Sequence, residues 1–218
     1  MKKTAFILSL LCGAASLASA ATFYTPVSIT ATNSVAYFAV ANLHQGPGVG
    51  YSATAPHDAL VGTTGLTWVT DAPGGFPSDY LALRPAPILV IDLGSDLLLT
   101  EISTWGYTTS NANGVSAFSL RFATGAEGTG GFGTSLPNQG GFTAALSDVT
   151  RDSHPLSPVT ARYVEFTATD NYFSGGGFGP PPGGDRVGLG EIAFAVPEPS
   201  TALLGGIALL GLARRRRA

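Results

Sequence analysis

The side chains best suited to chemistry in this 218-residue chain are polar groups scattered around one indole. His57 and Asp58 precede Trp68, and Asp71, Arg84, Asn111, Asn113 and Tyr172 follow it, most of them in segments rich in turn-forming residues. An aromatic face can stack on the apolar side of a sugar ring while a few donors and acceptors take the hydroxyls, so this set suits carbohydrate recognition. Trp68 has a second reading as packing, and Trp105, inside a strand-like apolar run, reads as core. His44, His57 and His154 stand alone in loop-like sequence, where an imidazole is ordinarily solvated; of the three, His57 joins the candidate set.

Catalytic signatures are missing. Gly114-Val115-Ser116-Ala117-Phe118 lacks the second glycine of a nucleophile elbow. No His-Glu-x-x-His, His-x-His or spaced Cys/His set offers zinc a site. Gly46-Pro47-Gly48-Val49-Gly50 is no dinucleotide fingerprint, because no βαβ pattern surrounds it. Glycoside hydrolysis needs a carboxylate pair at a set separation, and no distinctive pair stands out. The chain therefore reads as non-enzymatic.

The elements that must position these residues have the period of strands. Segments 28–32, 66–70, 88–93, 99–107, 117–123, 162–169 and 187–195 are short, rich in branched and aromatic residues and bounded by turn formers. Phe118, Leu120 and Phe122 share one face against Ser119 and Arg121. Val164, Phe166 and Ala168 share another against Tyr163, Glu165 and Thr167. No segment of residues 21–195 sustains a 3.6-residue apolar period. Seven or eight strands with turn-rich connections predict an all-β, antiparallel jelly-roll sandwich. Residues 125–141 are glycine-rich, and 174–184 consist of Gly, Pro, Ser and Phe alone. Such composition predicts a mobile insertion at 174–184.

The run Ile91-Asp92-Leu93-Gly94, Leu99-Thr100-Glu101-Ile102, Phe118-Ser119-Leu120-Arg121-Phe122, Ala161-Arg162-Tyr163-Val164-Glu165-Phe166 and Gly190-Glu191-Ile192 resembles the discoidin, or coagulation-factor type C, domain. That resemblance spans residues 28–195 and implies a galactose-binding-like jelly roll that binds glycans, phospholipid headgroups or protein surfaces through loops at one end. The family often places an Asp-Gly pair before its tryptophan, whereas Val61-Gly62 stands here ahead of Trp68. The resemblance also implies a structural calcium held by a loop acid and the glutamate of the last strand, here Asp58 and Glu191. The alternative for Glu191 is a solvated carboxylate paired with an arginine such as Arg186.

Both ends of the chain read as addresses. Met1-Lys2-Lys3, an apolar stretch over residues 5–17 and Ala18-Ser19-Ala20 make a secretory leader, cut by signal peptidase before Ala21. Cys12, the chain's one cysteine, lies inside the leader, so residues 21–195 use neither disulfide nor thiolate chemistry. At the other end, Pro197 and Pro199 flank Glu198 and stop regular structure. The following 14 residues, 200–213, carry no charge. As a helix they span about 21 Å, short of the ~30 Å hydrocarbon core. Arg214, Arg215, Arg216 and Arg217 would stay cytoplasmic, leaving the upstream domain across the membrane. Val196-Pro197-Glu198-Pro199, the apolar run and the arginine cluster together resemble a PEP-CTERM sorting signal. That resemblance implies a membrane transpeptidase, exosortase, as partner and only transient membrane residence through the tail. It implies release of residues 21–195 to the cell surface or extracellular matrix of a Gram-negative bacterium, after export through the inner membrane.

Residues 21–195 hold 5 arginines, no lysine and 13 acids, a net charge of 5 − 13 = −8. A surface this acidic disfavours nucleic acid, whose phosphates require clustered Lys and Arg. The organisation expected is a leader (1–20), one discoidin-like domain (21–195) and a sorting signal (196–218). The function expected is non-catalytic binding, with extracellular polysaccharide of a biofilm as ligand. The rivals are a structural matrix component without a small ligand and, third, a polysaccharide-acting enzyme.

Overall fold

The structure is a computed structural model that describes residues 23–24, 26–45, 67–147 and 150–196. The leader, the segment with His57 and Asp58, and the sorting tail with its expected apolar helix lie outside the described residues. The described residues form nine strands: β1 (Phe23–Tyr24), β2 (Ser28–Ala31), β3 (Trp68–Val69), β4 (Ile88–Trp105), β5 (Val115–Ala123), β6 (Gln139–Thr143), β7 (Arg151–Asn171), β8 (Gly188–Leu189) and β9 (Glu191–Ala195). Among the described residues two α-helical turns, α1 (Asn42–Gln45) and α2 (Tyr80–Leu83), and two 3₁₀ turns, Gly128–Gly130 and Gly175–Gly177, interrupt them. Among the described residues no helix is long and apolar enough to cross a membrane.

The fold is organised by one long antiparallel ribbon, β4 against β7, which runs from Ile88↔Thr167 to Trp105↔Arg151. Four residues of β4, Leu93 to Asp96, bulge between the pairs Asp92↔Tyr163 and Leu97↔Ala161. A bulge bends and twists a ribbon, and here it divides the ribbon between two layers. The first half of β4 pairs with β2, and the matching half of β7 pairs with β5, which continues to β6. The second half of β4 pairs with β9, and β9 with β1. The expected antiparallel jelly-roll sandwich is thus the fold found, with the ribbon turning its corner at residues 92–97.

The alternation read in the sequence is the packing. Phe118, Leu120, Phe122, Val164, Phe166 and Ala168 from one layer and Leu99, Ile102, Ile192 and Phe194 from the other are buried in a single core cluster. Phe118 stacks on both Phe142 (5.0 Å) and Phe166 (4.6 Å), a geometry that adds to the area buried. On the outer face, charged side chains pin the register. Arg121 donates from Nε and Nη2 to the two Glu165 oxygens at 2.6 and 2.8 Å, and Arg162 clasps Asp92 in the same manner at 2.8 and 2.9 Å. Arg151 reaches Glu101 and, at 2.8 Å, Ser103 Oγ. Such paired forks are stronger and more directional than single contacts.

Several expectations change. Segments 88–93 and 99–107 are one strand, because the ladder to β7 resumes past the bulge. His154 is a buried member of β7, not a loop residue: its ring meets Phe118 edge-on at 5.0 Å, with Thr104 Oγ1 3.4 Å and Asp152 3.5 Å from Nε2. Burial lowers its pKa, against the raising influence of Asp152 and Glu101. His44 belongs to α1 and is half-buried, which also lowers its pKa. Residues 174–184 are not a mobile insertion. Gly177 and Gly179 donate to Ser174 O, Gly183 donates to Gly177 O, and Gly184 O accepts from Tyr80 N.

Candidate functional site

Five segments converge at the end of the sandwich away from the ribbon's corner. The turn after β2 brings Val35 and Phe38 against β3: Val35 N donates to Val69 O at 3.2 Å, and Val69 N donates to Phe38 O at 3.3 Å. Asn33 ties the same turn down. Its Nδ2 donates to Asp71 Oδ1 at 2.7 Å, its Oδ1 accepts from Asp71 N at 3.0 Å, and its carbonyl accepts from Trp68 Nε1 at 3.0 Å. The segment after β4 supplies Tyr107, the segment before β5 supplies Asn113, and the approach to β8 supplies Arg186.

Asn113 is the hub of this end. Its Oδ1 accepts from Gly184 N at 2.7 Å, its carbonyl accepts from Gly188 N at 2.7 Å, and its own N–H donates to Asn111 Oδ1 at 3.0 Å. Glycine at 188 is required by close approach, since a Cβ there would lie 2.9 Å from the Tyr107 ring and 3.0 Å from Trp68 O. Arg186 is held by one bond, Nη1 to Thr70 O at 2.9 Å. Among the described residues no carboxylate is within ion-pairing distance of it, unlike Arg121, Arg151 and Arg162.

Between these segments lies a cleft of about 430 Å³, lined by Val35, Tyr37, Phe38, Val69, Tyr107, Asn113 and Arg186. Tyr37 is 77% exposed. Phe38 meets Tyr107 edge-on at 6.4 Å, so one aromatic wall is fixed by the other. Burial raises the Tyr107 pKa; nearby Arg186 opposes that shift and Asp185 adds to it. The phenol therefore stays neutral at physiological pH and can both donate and accept. Aromatic faces beside a guanidinium and a carboxamide suit a flat, hydroxyl-rich ligand. The described lining contains no carboxylate and no histidine to serve as general acid or base.

The sequence candidates fare unequally. Asn113 lines the cleft, and Asn111 and Asp71 brace residues at its margin. Trp68 is fully buried in the core, donating to Asn33 O, so its ring offers no platform. Arg84 lies exposed at the end of α2, outside the cleft lining. Tyr172 is turned to Ala144 O through its hydroxyl. Glu191 is fully buried at the start of β9, opposite Trp105, so it is not the solvated carboxylate of the alternative reading. Among the described residues no three His, Cys, Asp or Glu side chains gather as a metal site; His57 and Asp58 lie outside those residues. Tyr37, Phe38, Tyr107 and Arg186 were missed as site residues. The available signal was the adjacent aromatic pair Tyr37-Phe38 just past a strand, where neither side chain has to face the core.

Three solved carbohydrate-binding modules are similar to this chain in structure. The family 32 module from C. perfringens NanJ, solved in complex with galactose, shares 13% identity over 80% of this chain and 98% of that one, with a TM-score of 0.49. The CBM32 of AlyQ, in complex with 4,5-unsaturated mannuronic acid, shares 17% over 79% and 96%, with a TM-score of 0.48. Chitosan-binding module 1 from a Paenibacillus sp. IK-5 chitosanase/glucanase shares 15% over 80% and 98%, with a TM-score of 0.46. These are similarities of chain path. No curated protein matches the chain in sequence. Residues 195–217 match the PEP-CTERM protein-sorting motif, which places that signal at the residues where its prolines, apolar run and arginines stand.

Proposed function

We propose that residues 21–195 form a non-catalytic carbohydrate-binding module of an exported, exosortase-processed protein, and that its ligand is extracellular polysaccharide. The observation that carries the reading is the cleft: aromatic side chains at Tyr37, Phe38 and Tyr107 face a site whose polar lining is Asn113 and Arg186. With Asn113 Oδ1 bonded to Gly184, Nδ2 is the donor it has left for a hydroxyl. The guanidinium keeps donors beyond the Nη1 bond to Thr70. A lining of aromatic, carboxamide and guanidinium groups supports binding of sugars over cleavage of their linkages.

The test is a thermal melt of the leader-free protein against a panel of soluble oligosaccharides. A ligand at a hundred times its Kd adds about 2.7 kcal/mol, which raises the Tm of a domain this size by roughly 5–10 °C. Tyr37→Ala, at a side chain too exposed to matter for folding, should abolish the shift while leaving the unliganded Tm in place. No shift with any glycan, together with self-assembly, would instead mark a structural matrix component. The tail supports sorting to the cell surface or matrix of a Gram-negative host. Intact mass of the natively released protein should end near Pro197-Glu198-Pro199, and Glu198→Ala should retain the full tail. The calcium site would draw on the buried Glu191 and on Asp58; a chelator should lower the Tm if it is filled.

A further inference from the structure

We propose that Phe76 and Phe178 form a second sugar platform at the cleft end of the sandwich, so that the module grips a polysaccharide at two points and favours long chains over short ones. The inference rests on the glycan reading of the cleft and adds chain-length selectivity to it. The two phenyl rings are 54% and 68% exposed and meet edge-on at 5.2 Å, outside the cleft lining. Their loops are fixed. Gly177 N and Gly179 N donate to Ser174 O at 2.9 and 3.1 Å, and Phe178 N donates to Gly175 O at 3.3 Å. The loop carrying Phe76 packs directly on this one: a Cβ on Gly177 would come 2.9 Å from Pro77 Cβ. The same backbone reaches the cleft. Gly183 N donates to Gly177 O and Ala112 N to Pro182 O, both at 2.9 Å, and Gly184 N donates to Asn113 Oδ1 at 2.7 Å. A ligand that touches both platform and cleft therefore has no loop to order, which keeps the cost of binding low.

Size and charge decide the occupant. At these exposures the two rings together offer roughly 250 Å² of apolar surface. Leu83, 50% exposed and next to Gly74, adds less than one further ring. A stable protein interface takes about 800 Å² from each partner, so the patch is too small to hold a second copy of the chain. Lipid is disfavoured by charge. Residues 72–78 and 174–184 contain no Lys or Arg, and the acidic surface of residues 21–195 repels anionic headgroups. A sugar ring matches what is left. Neither phenyl offers a hydrogen bond, and the C–H face of a pyranose asks for none. Two contacts on one chain then act at high effective concentration, which raises affinity by about a hundredfold or more without strengthening either contact.

The test measures Kd by titration calorimetry on the leader-processed protein, with soluble galactan, chitosan and polygalacturonate, each from disaccharide to intact polymer, as neutral, cationic and anionic chains. For a chain that binds, Kd should fall by about a hundredfold from disaccharide to polymer. The double variant Phe76→Ala/Phe178→Ala should lose most of that gain and keep the disaccharide Kd, which shows the cleft intact. Phe76→Tyr/Phe178→Tyr, which keeps both rings, should retain the gain. A gain that survives the double alanine variant overturns the proposal. So does an equal loss for disaccharide and polymer, which would put the rings in the cleft's own site. Binding without any gain in length overturns this inference and leaves the glycan reading standing, whereas no binding of any of the three chains overturns both. Two further measurements address the rival occupants: pelleting with vesicles of phosphatidylethanolamine and phosphatidylglycerol, and sedimentation velocity. Association in either that disappears in the double alanine variant would assign the rings to lipid or to a second copy, and the proposal would fail.

Discussion

Two glycine-rich connections occupy opposite poles of the sandwich, and they are ordered by different forces. At the cleft pole, residues 174–184 are fixed by backbone bonds and by close approach. Gly183 and Gly184 adopt φ of +126° and +99°, and a Cβ on Gly184 would lie 2.6 Å from Phe173 Cβ. At the corner pole, residues 124–135 are gathered around one carboxylate. Glu127 Oε2 accepts from Thr124 N and Thr124 Oγ1 at 2.9 Å, and Oε1 accepts from Thr134 Oγ1 at 3.0 Å. The Ser135 hydroxyl, the strongest influence, and these donors hold the Glu127 pKa down at about 2. A loop ordered by shape is indifferent to pH and salt. A loop ordered by one anion depends on that anion's charge. The shape-ordered loop supports the cleft, through Gly184 and Asn113, so the binding end is built on the element less exposed to solution conditions.

The sharpest way to break this contrast is Gly184→Ala. It forces a side chain into an unfavourable φ and onto Phe173 at once, and should cost about 3 kcal/mol, or roughly 6–12 °C in Tm. Ligand shifts should vanish with it, because Asn113 loses its partner. Asn113→Ala comes next. It leaves the buried Gly184 N–H without an acceptor and should cost about 2 kcal/mol, with faster amide exchange at Gly184 as the local readout. Gly128→Ala, at the corner pole, has a similarly unusual φ of +65° but nothing within 4 Å of the added Cβ. It should cost only about 1 kcal/mol. If the two alanine substitutions prove equal, close approach is not what orders the cleft loop.

Composition made both loops look alike because glycine content reports freedom in the unfolded chain and is silent about which φ the folded chain needs. Strand positions were more legible. A period of two maps directly onto the buried faces of Phe118, Leu120 and Phe122, since any other register would expose them. The first half of β7 was hidden by Pro155 and Pro158, which lack ladder donors. The structure accommodates them in the irregularity between Leu99↔Val159 and Glu101↔Pro155, where the partner strands lose register. The sorting tail was fully legible because order along the chain is its whole signature. The cleft was not, because its walls are assembled from segments up to 151 positions apart, Val35 to Arg186, and local patterning carries no record of which turns meet. Trp68 misled for the opposite reason: indole is equally at home in a core, and only the placement of Asn33 O beside its Nε1 decides.

The smallest expected effect concerns Glu127 and separates the two loops most cleanly. Its folded pKa lies below the ordinary value of 4.5, so the carboxylate's contribution is complete above pH 4.5 and is lost as pH falls toward about 2. Amide exchange at Thr124, measured between those limits, should accelerate as the carboxylate is protonated, while exchange at Gly184 should keep its own dependence on global stability. Glu127→Gln should reproduce the acid behaviour at neutral pH: it keeps one acceptor oxygen but loses the charge that four donors share. Its Tm should move little, because the loop is exposed and its opening leaves the core intact. A large drop in Tm for this variant would mean that the corner loop is coupled to the ribbon beneath it, and the division between a shape-ordered pole and a charge-ordered pole would fail.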